Sequence, residues 1–142
     1  MQKENVKIEA IRKFFMQCPL LKNGALNIDH LDSDAINYSI NSDINSNLVI
    51  KRYRDGGELR QFLFTFMSTE IRSQDIVDQI QAMGFYEQLE DWIELQNKIN
   101  NLPDIEGIQS IEIMSPAFLW DASESVSYYQ IQLRITYLKE VI

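Results

Sequence analysis

Over residues 4–16 the apolar side chains Ile8, Ile11, Phe14 and Phe15 recur at intervals of three and four, with Lys7, Arg12 and Lys13 between them. That spacing predicts a short amphipathic helix over Glu4–Met16, ended by Pro19 and too short to be stable without a surface to pack on. The period then changes. Ile36, Tyr38 and Ile40 alternate with Asn37 and Ser39, which predicts a strand over Ala35–Ile40, and the polar run Asn41–Asn47 reads as a loop. Leu48–Met67 holds two β-rich runs around Arg54-Asp55-Gly56-Gly57-Glu58. Asp55-Gly56 or Gly56-Gly57 can supply the positive φ angles of a two-residue hairpin turn. Either choice puts Val49 and Tyr53 on one face with Phe62, Phe64 and Phe66, and that face is the predicted core.

Ser73 has the chemistry of a helix N-cap, with Asp75 in the first turn, and opens a helical stretch that runs to about Asn100. Ile76, Ile80 and Met83 form an apolar stripe that Leu89, Trp92, Ile93 and Ile99 continue. Gly84 predicts a kink, or two successive helices that break at Gly84-Phe85. Beyond Pro103, Ile111 and Ile113 alternate with Ser110 and Glu112 until Pro116 limits the strand. Val126–Leu138 has the cleanest alternation: Tyr129, Ile131, Leu133, Ile135 and Tyr137 face one way, and Gln130, Gln132, Arg134 and Thr136 the other. Together these elements predict an α+β fold: one domain with a mainly antiparallel sheet, and an N-terminal helix and a long helix, possible break included, packed on one face. Its parts are 1–24 (helix and connection), 25–68 (strands and hairpin), 73–100 (helical) and 108–138 (C-terminal strands).

A length of 142 residues suits a single core, and no apolar run reaches the roughly 20 residues needed to cross a bilayer. The start MQKENVKIEA lacks the apolar stretch of a signal peptide, so a soluble, unexported protein is expected. Cys18 and His30, each the only residue of its kind, cannot make a disulfide within the chain or a four-ligand zinc site. The net charge is −8. Residues 1–70 are balanced, so the whole acidic excess lies in residues 71–142. Such a balance argues against a surface that grips duplex phosphates. It fits either a solvated acidic face or a surface that must let a polyanion slide past.

The chain contains no glycine-rich phosphate cradle and no nucleophile elbow, and Gly56-Gly57 belongs to a hairpin. His30 within Asp29-His30-Leu31-Asp32-Ser33 reads as a structural or surface histidine, because triad partners are assembled by the fold rather than by adjacency. Cys18 before Pro19 reads as a small buried hydrophobe. Glu87, Glu90, Asp91 and Glu94 form a carboxylate stripe at helical spacing, open to acid–base or cation chemistry. A solvated helix face is the simpler reading, since nothing apolar in the pattern would raise one carboxylate above its neighbours. Asp121 and Glu124, in the predicted loop Asp121–Ser125, are read the same way. Trp92 and Trp120 with Phe85, Tyr86, Tyr128 and Tyr129 suit either a stacking platform or, more simply, a core. Lys51, Arg52 and Arg54 crowd the hairpin tip, as solubilising edge charges or as a docking surface for an acidic partner.

The run Tyr53-Arg54-Asp55-Gly56-Gly57-Glu58-Leu59-Arg60-Gln61-Phe62-Leu63-Phe64 is followed by Gly84-Phe85-Tyr86-Glu87 and Asp91-Trp92. Gly107-Ile108-Gln109-Ser110-Ile111-Glu112, Phe118-Leu119-Trp120-Asp121 and Tyr129–Tyr137 complete the order. Over about residues 35–138 this pattern resembles the small minor capsid or tail-completion proteins of long-tailed phages and prophages of Gram-positive bacteria, and departs from it in lacking a loop expansion after Pro103. The resemblance implies a fold similar to tail-terminator subunits and a structural, non-catalytic role in the virion, assembled in the host cytoplasm. It implies a hexameric ring that caps the tail tube, ends its elongation and meets the head connector. Genome DNA would pass through without specific binding, and neither cofactor, metal nor membrane is implied. On that reading Lys51, Arg52, Tyr53, Arg54, Asp55, Gly56, Gly57, Glu58 and Arg60, with the loop 41–47, are candidates for subunit or partner contacts. Glu87, Glu90, Asp91, Glu94, Asp121 and Glu124 are candidates for an acidic lumen. Two rivals stand beside it: a head–tail neck adaptor, and a small ligand-binding or enzymatic α+β domain that uses the carboxylates and the Trp120 region.

Overall fold

The computed structural model describes residues 7–21, 26–28, 37–42, 48–71, 76–122 and 126–140. Its elements are α1 (Lys7–Met16), β1 (Leu26–Ile28), β2 (Asn37–Ser42), β3 (Val49–Arg52), β4 (Glu58–Ile71), α2 (Ile76–Lys98), β5 (Ile108–Ile113), β6 (Phe118–Ala122) and β7 (Val126–Lys139). These make an α+β fold whose sheet is antiparallel apart from the parallel pair β1–β2.

The sheet is built around a ribbon of β4 and β7, paired from Glu58↔Lys139 to Ile71↔Val126. Fourteen residues per strand make it about 47 Å long at roughly 3.4 Å per residue. Shorter strands flank each half. On the β4 side, β2 pairs with residues 64–69 and β3 with residues 58–60; on the β7 side, β6 pairs with residues 127–130 and β5 with residues 133–137. The sheet therefore changes neighbours along its length, and β3 and β6 lie at diagonally opposite corners.

Alternation decides which side is covered. Phe64, Phe66, Ile131, Leu133 and Ile135 point to one face and are buried with Ile11, Phe14 and Phe15 of α1 and Tyr86, Leu89 and Ile93 of α2. Phe15 meets Phe66 at 5.2 Å between ring centres, and Phe14 meets Trp92 at 4.9 Å, so rings join both helices to the sheet. On the β5–β7 pair the other face is polar: Arg134 pairs with Glu112 at 3.1 Å, and the Ser110 and Thr136 hydroxyls lie 2.8 Å apart.

Several expectations are corrected. β2 continues through Asn41 and Ser42, so the predicted loop can begin only at 43, outside the described residues. The hairpin turn spans three residues rather than two: Gly56 N–H donates to Tyr53 C=O at 3.0 Å, and Tyr53 N–H donates to Gly57 C=O at 2.8 Å. Gly56, at φ 91°, takes the left-handed position of the resulting bulge. This third residue and a further bulge between Val49 and Lys51 break the expected facing, leaving Tyr53 39% exposed and outside the core.

Helix α2 runs unbroken through Gly84. Its inward face is set by Tyr86, Leu89, Ile93 and Gln96, of which Leu89 and Ile93 belong to the predicted stripe. At 100° per residue Ile80 lies about 120° around the helix from Tyr86, and it is 64% exposed. Met83 and Ile99 are exposed too, whereas Leu89, Ile93 and, in part, Trp92 are buried as expected. The predicted Ser73 cap and Asp75, like His30, lie outside the described residues. The C-terminal part holds one strand more than expected: Asp121 lies in β6 rather than in a loop.

Candidate functional site

Two charged surfaces result from this architecture. The first is the β3–β4 hairpin. Lys51 through Gly56 are all exposed, and Gly57, Glu58 and Arg60 are half-buried at its base. Glu58 is held between two guanidinium groups, 2.7 Å from Arg60 Nη2 and 3.1 Å from Arg52 Nε. Hydrogen bonds from Arg60 first, then Arg52, hold its carboxyl below the usual carboxylate range. In return Glu58 raises the Arg60 guanidinium further. Asp55 Oδ1 accepts from Gly57 N–H at 2.9 Å and so stiffens the turn. Lys51 lies 5.4 Å from the centre of the Tyr53 ring. The sequence-predicted contact residues are thus brought together. Two of the four cations serve Glu58, while Lys51 and Arg54 are exposed and lie outside those ion pairs.

The second surface is the outer flank of α2. Glu87, Asp91 and Glu94 are exposed and Glu90 is half-buried. Glu90 corrects the expectation that no carboxylate differs from its neighbours: partial burial first, then the charges of Glu94, Asp91 and Glu87, push its carboxyl above the usual range. Ile80 and Met83 lie on the same flank, so it is apolar towards the helix N-terminus and acidic towards its C-terminus. The structure brings these four carboxylates together on one helix. The side chain of Asp121, and Glu124 entirely, lie outside the described residues, so the predicted six-residue acidic set is described only for its α2 members.

Of the six aromatic residues, Phe85, Tyr86, Trp92 and Tyr129 pack in or against the core as the simpler reading expects, and Tyr128 is half-buried. Tyr86 is fully buried, its hydroxyl bonded to Ser68 Oγ and donating to the Tyr129 carbonyl at 3.3 Å. Phe85 stacks on Tyr38 at 5.7 Å, and Trp92 packs on Phe14 and Phe15. Trp120's side chain is outside the described residues. Cys18 is 3% exposed, and burial pushes its thiol up, so it behaves as a small hydrophobe. A shallow cleft of about 130 Å³ between α1 and the segment after α2, lined by Glu9, Lys13, Gln17 and Asp104 among others, is large enough for a few waters.

Asn97 was not singled out by its sequence context. Its side-chain amide donates to Ile111 C=O at 2.6 Å, and its Oδ1 accepts from Ile111 N–H at 3.0 Å. One α2 side chain thereby satisfies both outward backbone groups of Ile111 on β5. No sequence signal separates this asparagine from any polar residue on a helix flank, because the partner lies 14 residues away on another element.

Comparison of the chain with protein-family models and with curated proteins finds no match.

Proposed function

We propose that this chain is a structural, non-catalytic subunit of a long-tailed phage or prophage, a tail terminator that forms a ring on the tail tube, stops its growth and meets the head connector. The observation that carries the reading is the hairpin. It leaves the end of a fourteen-pair ribbon, exposes every residue from Lys51 to Gly56, and keeps Lys51 and Arg54 outside the Glu58 ion pairs. An exposed element with a charged tip suits docking between proteins, where complementary charge selects the partner and speeds encounter. Support also comes from the segments that carry the resemblance. Within them Phe64 of β4, Tyr86 of α2, Ile111 of β5 and Ile131, Leu133 and Ile135 of β7 share one core.

On this reading the acidic flank of α2 faces the lumen. Carboxylates there give a passing phosphate backbone nothing to neutralise it and so keep DNA mobile. The test is gold labelling of an epitope-tagged chain in particles of the parent phage. Label at the head-proximal end of the tail is expected. Label distributed along the tube, or absent from particles, would overturn the proposal.

A further inference from the structure

Strands β1, β3, β5 and β6 each pair on one side only among the described residues, and an unpaired edge is a template for another strand. These edges are not equivalent. The β5 edge is occupied at Ile111 by the Asn97 amide. The β3 and β6 edges have no such plug among the described residues, and both are flanked by large exposed apolar side chains. Leu48, Ile50 and Tyr53 are 47%, 41% and 39% exposed; Phe118 and Leu119 are 40% and 51% exposed.

Their charges are opposite. Residues 48–54 carry Lys51, Arg52 and Arg54, of which Arg52 is paired with Glu58, whereas β6 (Phe118–Ala122) carries Asp121 and no cation. Two β3 edges pairing with each other would set cations against cations, which destabilises cross-strand pairs, while β3 against β6 sets unlike charges together. Because the two edges lie at diagonally opposite corners of one sheet, such a contact is head-to-tail: each copy offers β3 to one neighbour and β6 to the other. Contacts of that kind build rings or filaments rather than closed two-fold dimers.

We infer that copies of this chain join by docking the β3 edge of one onto the β6 edge of the next. The inference stands on the sheet edges and not on the terminator reading: a ring could use other surfaces, and edge docking could serve another assembly. The test uses two variants of the full chain, Ile50→Glu to block β3 and Leu119→Lys to block β6, with molecular mass measured by light scattering after gel filtration. Both positions are exposed, so each variant should keep the wild-type melting temperature; Lys51→Glu is a second way to block β3 should Ile50→Glu misfold.

The wild type is expected as an oligomer and each variant alone as a monomer. An equimolar mixture of the two variants is expected to reach twice the mass of one chain and stop there, because one intact β3 meets one intact β6. A monomeric wild type, a variant that still forms the full oligomer, or a mixture that stays monomeric would each overturn the inference. Failure here leaves the gold-labelling result untouched, and the reverse also holds.

Discussion

Asn97→Ala removes the only side chain that the described residues show bonded to the outer backbone edge of β5. Ile111 is 1% exposed, and its N–H and C=O lose partners at 3.0 and 2.6 Å. Leaving a buried backbone group unsatisfied costs about 1–3 kcal/mol, so two such groups set an upper range of about 2–6 kcal/mol. Asn97 itself is only half-buried, so water can enter the space left by the amide, and a cost of about 2 kcal/mol is expected. At about 4 °C per kcal/mol for a chain of this size, the melting temperature should fall by about 8 °C.

Asn97→Asp sharpens the test. The carboxylate can still accept from Ile111 N–H but opposes the Ile111 carbonyl with a second acceptor. It should therefore match the alanine variant at neutral pH and recover part of the loss in acid, where the protonated carboxyl donates again. Urea unfolding of both variants across pH supplies the measurement. An alanine variant within about 0.5 kcal/mol of wild type, as for an ordinary surface change, would refute the reasoning.

Three further outcomes are expected. Gly84 lies inside α2, where an added Cβ would meet nothing within 4 Å, so Gly84→Ala should stabilise by about 0.5–1 kcal/mol in urea unfolding; a loss would mean that the helix bends there. Gly107 has φ 79°, and a Cβ there would collide with the Leu138 backbone carbonyl, so Gly107→Ala should cost at least about 2 kcal/mol by the same assay. Glu90 carries a raised carboxyl, caused by burial and then by its acidic neighbours. Its ionisation therefore costs stability at neutral pH, and that cost disappears as pH falls through its folded pKa towards the ordinary carboxylate range. Glu90→Gln should raise stability by about 0.5 kcal/mol at neutral pH, as relief of like charges three and four residues away implies, and leave it unchanged in acid; an equal gain at both pH values would contradict the electrostatic cause.

Elements whose pattern is carried by near neighbours were legible in the sequence. The three-and-four spacing of Ile8, Ile11, Phe14 and Phe15 gives α1, and the alternation from Tyr129 to Tyr137 gives β7 with its buried face. The hairpin was placed correctly, but the extra turn residue shifted which side chains face inward, and Tyr53 went to solvent. In α2, apolar residues are spread around the helix, so the buried face depended on what the sheet offered. Tyr86 is buried with its hydroxyl satisfied by Ser68 Oγ and the Tyr129 carbonyl, partners 18 and 43 residues away. β6 was hidden by its short length and by the polar segment after Asp121. Of the candidate surfaces, the cationic tip and the α2 carboxylates followed from spacing alone. The Arg52–Glu58–Arg60 clamp and the Asn97 plug needed the strand register to bring them together.

The most direct measurement of the proposed role is electron microscopy of particles from the parent phage or induced prophage with this gene deleted. If the chain ends tube growth, DNA-filled heads will lie beside unattached tubes of excessive and uncontrolled length. Unattached tails of normal length would contradict termination and place the chain at the neck, joining a tail that something else has already capped.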